Sequence, residues 1–136
     1  MERQLVKDLI QTHGTNSPLK IASERNVMVL FADLGKDVWG YYTCINRIPC
    51  IHINNRSGDF AQLFTAGHEL AHHLLHRGIS TPFLKKNTLF VVDKLERQAN
   101  TFALHLLIGD ENPAQGESRQ HFLLRCGIPD VFHVFY

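Results

Sequence analysis

Leu5, Val6, Leu9 and Ile10 recur at the three-to-four-residue spacing of one helical face, which predicts an amphipathic helix over residues 2–13. "HGTN" interrupts it. Ser17 followed by Pro18 is an N-cap with proline at the first helical position, so a short helix should run from Pro18 to about Arg25 and stop near Asn26. The pattern then changes period. "VMVLF" (27–31), "VWGYYTC" (38–44) and "IPCIHIN" (48–54) are short β-prone runs separated by turn-forming residues, and predict three antiparallel strands in a meander. Pro49 has no amide hydrogen to give to a ladder, which places the third strand at an edge, at least at its start.

Helical spacing returns from Asp59 to His76, with Leu63, Phe64, Ala66, Gly67, Leu70, Ala71, Leu74 and Leu75 in a wide apolar stripe and Gly78 as the stop. Residues 79–90 read as a loop. A second strong helix is expected from Val91 to Ile108, carrying Leu95, Ala99, Phe102, Ala103 and Leu106. "GDENPAQGES" ends it. A shorter helix near 117–126 and an apolar tail, "IPDVFHVFY", complete the chain, and the tail is apolar enough to dock on the body. The pattern as a whole predicts one α+β domain over residues 1–136, a short three-stranded antiparallel sheet packed on helices.

Composition narrows the classes of function. With 44% hydrophobic residues in 136, one real core can be buried. A formal net charge of +1 leaves no basic footprint for direct nucleic-acid binding. No apolar run is long enough to span a membrane, and "MERQLVKDLI" lacks the apolar stretch of a signal peptide, so a cytoplasmic protein is expected. Cys44, Cys50 and Cys126 match no zinc knuckle or CxxC pair and read as small hydrophobes in a reducing compartment.

"HELAHHLLH", residues 68–76, gathers four of the nine histidines. Within it His68-Glu69-Leu70-Ala71-His72 has the H-E-x-x-H pattern. On a helix, positions i and i+4 lie about 40° apart and about 6 Å along the axis, so two imidazoles can converge on one zinc ion. Glu69 lies about 100° round from His68 and can act as general base without being a ligand. Composition alone yields such a match about 3% of the time. A bland alternative, histidines favouring the negative end of a helix, suits His73 and His76 but not His68 and His72, which lie too far from that end.

A catalytic zinc ion usually takes three protein ligands. His76 shares the face but stands about 12 Å along the axis from His68. The longer three-histidine motif is excluded, because the position ten residues after His68 is Gly78. Cys44 or Cys50 would suit a deformylase-like site, but the glycine-flanked cysteine segment is absent. Glu96, in "LERQANTFALHLL", is the better choice: it shares a helical face with Asn100, and Ala99 and Ala103 are small enough for close helix packing.

Together, "HELAHHLLH" and "ERQANTFALHLL" resemble the ImmA/IrrE metallopeptidases, whose second motif reads E-x-x-A-N-x-F-A-x-x-L-L. The resemblance extends upstream through "GYYTCINRIPCIHINN" and "DLIQTHGTNSPLKIASERNVMV", covering about residues 5–108. It implies a zincin-like domain, zinc on His68, His72 and Glu96, and Glu69 as the catalytic residue. It further implies an endopeptidase that cleaves a helix-turn-helix repressor, acting as an anti-repressor in a phage, mobile element or stress regulon. One departure is that the second motif continues as Leu106-Leu107-Ile108-Gly109, where the family usually has Leu-Leu, then Met or Ile, then Pro.

Other roles stay open at this level. Asn100, His76 and Tyr42 could support the ligands, and Tyr41, Tyr42, His73, His76 and His105 could each stabilise an oxyanion. An extended substrate could pair with a strand edge at Ile51, His52, Ile53 and Asn54. A binding-only regulator with a structural zinc is the alternative to the endopeptidase, and Glu69 separates them, since a structural site has no need of that carboxylate.

Overall fold

The computed structural model describes residues 2–78, 82–86, 89–90 and 93–136. The first helix, α1, spans Glu2–His13 and buries Val6 and Leu9. In α2, Pro18–Glu24, the Ser17 hydroxyl accepts from the Lys20 amide as expected. The strands are β1, Met28–Ala32, β2, Val38–Ile45, and β3, Ile48–Asn54. The histidine-bearing helix α3 covers Asp59–Leu75. A two-residue strand β4, Leu84–Lys85, lies in the segment expected to be loop. Helix α4 is Lys94–Ile108. It starts after the predicted Val91, because the Asp93 carboxylate caps it by accepting from the Leu95 and Glu96 amides; Val91 itself lies outside the described residues. Helix α5, Arg119–Arg125, and a 3-10 helix, Asp130–Phe135, follow.

The sheet corrects two expectations. It has four strands in the order β1-β3-β2-β4, with β1 parallel to β3 and the other pairs antiparallel. The chain is therefore not a simple meander, and β3 is internal: Ile51, His52, Ile53 and Asn54 have neighbours on both sides. Pro49 is tolerated because β1 begins opposite Cys50, so at Pro49 the strand has only β2 beside it. The β1–β2 connection must cross the end of β3, and Asn54 holds it there. Its Nδ2 donates to Gly35 O (2.7 Å) and Val38 O (2.6 Å), and its Oδ1 accepts from the Leu34 amide (3.2 Å). Asn54 is a structural corner, and His52 lies on the outer sheet face, its ring stacked 4.2 Å from Tyr41.

Ile51 and Ile53 enter the main core with Val6, Leu9, Ile21, Leu70, Phe102 and Leu106, so α3 is sandwiched between the sheet and α4. The α3–α4 contact is unusually close. A Cβ built on Gly67 would lie 3.1 Å from Ala103 Cβ and 3.2 Å from Ala103 Cα. Gly67→Val should therefore wedge the helices apart and lower stability by about 1–3 kcal/mol, read as a fall in the midpoint of chemical denaturation. An unchanged midpoint would show that the two helices can separate freely.

Two devices close the far end of α4. Asn16 Nδ2 donates to Leu106 O (3.2 Å), and Gly109 adopts φ 70° against that same amide, where a Cβ would lie 2.8 Å from Nδ2. Glycine at this position is thus built into the packing. The tail docks as expected, with Phe132 buried in a second core beside Phe64, Leu104 and Phe122. Tyr136 packs 5.4 Å from the ring of His105, whose Nε2 accepts from Arg3 Nε (3.4 Å). Burial, aided by Arg3, pushes the His105 pKa down to about 4.

An unfolded histidine titrates near 6.5, so the unfolded chain takes up that proton first as pH falls. The stability His105 contributes is complete above about pH 6.5 and is lost as pH falls towards 4. His105→Gln should flatten the decline of unfolding free energy across that window; an identical decline in both proteins would contradict this.

Candidate metal centre

Helix α3 carries His68, Glu69 and His72 on its buried length, and α4 brings Glu96 against them from its first turn. His68 Nε2 lies 2.8 Å from Glu96 Oε2, His72 Nε2 lies 3.2 Å from the same oxygen, and the two Nε2 atoms are 3.1 Å apart. Tetrahedral zinc with bonds of 2.0–2.1 Å separates its ligand atoms by about 3.3 Å. The triangle therefore already has nearly the size of one face of a zinc coordination shell.

Hydrogen bonding decides which lone pairs point inward. His68 Nδ1 is 2.8 Å from the Asn100 carbonyl oxygen, which can only accept. The proton is thus on Nδ1, and Nε2 presents its lone pair to the centre. Asn100 is itself fixed, donating from Nδ2 to Leu89 O (3.1 Å). An imidazole lone pair and a carboxylate oxygen turned towards each other at such distances call for a cation, so the donor set fits zinc.

Glu69 is different in kind. It is fully buried, and neither carboxylate oxygen has a hydrogen-bond partner. Burial pushes its pKa up to about 8 despite the nearby His72. A buried carboxyl with no partner is expensive, and such groups persist where they serve chemistry. One of its oxygens lies within 4.8 Å of a ring nitrogen on both His68 and His72. Glu96 is the closer carboxylate to both rings, so Glu69 is left beside the three-atom face.

The other expected residues have other partners. His76 Nδ1 meets His72 Nδ1 at 2.9 Å, on the side of that ring away from the centre, so it does not join the donor set. Tyr42 reaches His73 Nδ1 (2.7 Å), and Arg77 binds the other nitrogen of His73 (2.7 Å). Tyr41 stacks on the outer face of the sheet, and His105 lies under the tail. The five suggested oxyanion partners are thus each engaged elsewhere. Gln98, 2.9 Å from His76 Nε2, was missed because nothing local in the sequence distinguishes it from an exposed helix glutamine. In the sequence Gly67 reads only as part of an apolar stripe.

The family model described as the IrrE N-terminal-like domain matches residues 22–134. The chain is 40% identical over 105 residues to an uncharacterized immunity region protein 2 of Bacillus phage phi105, a match covering 77% of this chain and 66% of that protein. It is 31% identical over 132 residues to the Metallopeptidase ImmA of Bacillus subtilis (strain 168), covering 91% and 76% respectively. It therefore spans just under two thirds of the phage relative and about three quarters of the bacterial one. With the matched region taking in α3, α4 and every donor of the centre, the chain belongs to the ImmA/IrrE family of metallopeptidases.

Proposed function

We propose that the protein is a zinc-dependent endopeptidase whose substrate is a helix-turn-helix repressor, with His68, His72 and Glu96 as metal ligands and Glu69 as the catalytic acid–base. The carrying observation is the convergence of two imidazole nitrogens and one carboxylate oxygen within 3.2 Å of one another. Family membership supports a peptidase, and the repressor as substrate follows from the resemblance to the ImmA/IrrE proteins. No helix among the described residues is long and apolar enough to cross a membrane, in keeping with a substrate met in solution.

Bound zinc would act as a Lewis acid on the scissile carbonyl and make a nearby water more acidic. The chain's own residues supply the rest. Glu69 accepts a proton from the attacking water and returns it to the leaving amine. Asn100 fixes the His68 ring, and the 0–1% exposure of His68, Glu69 and His72 keeps bulk water away. An edge for an extended substrate is better sought on β2, whose residues beyond Gly40 have no partner on their outer side among the described residues. A binding-only regulator leaves the unpartnered Glu69 unexplained.

The test is direct. The zinc-loaded protein, mixed with a purified helix-turn-helix repressor chosen as candidate substrate, should cut that repressor at a defined peptide bond, read by mass spectrometry of the fragments. A chelator should stop the reaction and added zinc should restore it. Cleavage that persists in chelator would refute the metallopeptidase reading.

A further inference from the structure

We infer that His76 and Gln98 form a relay that fixes the tautomer and orientation of the His72 ring, and through it the affinity of the centre for metal. This deepens the metallopeptidase reading and rests on it. His72 differs from His68 in lacking a direct amide partner on α4. Its Nδ1 instead faces His76 Nδ1 at 2.9 Å, and His76 Nε2 faces Gln98 Oε1 at 2.9 Å. All three rings or amides are buried or half-buried, with His72 at 1% and His76 at 5% exposure.

Proton placement follows from the ligand role of His72. A ring that gives its Nε2 lone pair to a metal carries its proton on Nδ1. That proton is donated across the 2.9 Å contact to His76 Nδ1, and His76, protonated on Nε2, donates to Gln98 Oε1 at 2.9 Å. His72 is left with its Nε2 lone pair turned towards Glu96 and His68. One amide carbonyl on α4 thus sets the ligand state of a histidine on α3 through an intervening ring. Asn100 does the same for His68 with no intermediary.

The arrangement also explains why His76 lies at the end of α3. Its backbone closes the helix, the amide donating to His72 O at 2.9 Å, while its side chain folds back over the last turn. Gln98 sits two residues after Glu96 and two before Asn100, so a single short stretch of α4 supplies one ligand and both orienting amides. His76 and Gln98 are positioning residues, since neither touches the metal face.

Zinc affinity of the full chain, measured by chelator competition, tests the relay. His76→Leu should weaken binding about 10- to 100-fold, the usual loss when an outer partner of a metal-bound histidine is removed. His76→Asn places an acceptor oxygen where Nδ1 stood and should remain within about threefold of the parent. Gln98→Met, at a half-buried position, tests the same claim where His76→Leu fails to fold, and should weaken binding in the same direction. Nitrogen-15 NMR of the zinc-loaded parent should show the proton of His76 on Nε2 and that of His72 on Nδ1.

Parental affinity in both His76→Leu and Gln98→Met would overturn the relay, as would a His76 proton on Nδ1. The underlying reading is separated by His68→Ala. If that variant binds zinc like the parent, the metal centre itself is wrong and the relay falls with it. If it loses zinc while neither His76→Leu nor Gln98→Met does, only the relay is wrong.

Discussion

Glu69→Gln is expected to lower kcat/KM for peptide cleavage by about 100- to 10,000-fold, the range removed with a general acid–base. Zinc content should stay that of the parent, because Glu69 is outside the triangle of donor atoms. Folding should not suffer, since the amide is nearly isosteric and carries no charge into a fully buried position. The combination is diagnostic: a metal-loaded, folded, inactive protein. It is checked by steady-state kinetics alongside metal analysis of the same sample. Cleavage at the parental rate would remove Glu69 from the mechanism.

The second large effect concerns Glu96. Glu96→Ala removes one of three inner donors, so zinc affinity should fall by more than the roughly 10- to 100-fold that loss of an outer partner produces. Activity should vanish with the metal at ordinary zinc concentrations. The same substitution takes away the carboxylate that faces His68 and His72 at 2.8 and 3.2 Å. Competition titration with a chromophoric chelator reads the affinity, and retained tight binding would point to a different third ligand.

Much of the centre was legible because it is local. His68 and His72 lie four residues apart on one helix, and helical geometry alone brings their rings together. Glu96 lies 24 residues away from His72, yet its helix was strongly periodic and its motif resembled a known family. Asn100 could be placed beside it on the same face. Gln98 could not, because its role exists only through His76, and His76 itself looked like a helix-end histidine.

The sheet was less legible for a physical reason. Strand runs are local, and all three were found within one or two residues of their ends. Strand order is set by contacts between distant residues. Insertion of β3 between β1 and β2 depends on the 33–37 connection crossing the sheet end and on Asn54 holding Leu34, Gly35 and Val38 there. A polar residue at the end of a strand gave no hint of that. Strand β4 is two residues long, too short for any period to register. The expected substrate edge moved with this correction, from β3 to the open side of β2.

Anomalous diffraction at the zinc edge, from crystals of the zinc-loaded protein, tests the central claim most directly. The account predicts a single strong peak about 2.0–2.2 Å from His68 Nε2, His72 Nε2 and a Glu96 carboxylate oxygen, with Glu69 close by but outside bonding distance. A peak bound by His76 or Glu69 in place of Glu96, or no peak between α3 and α4, would contradict it.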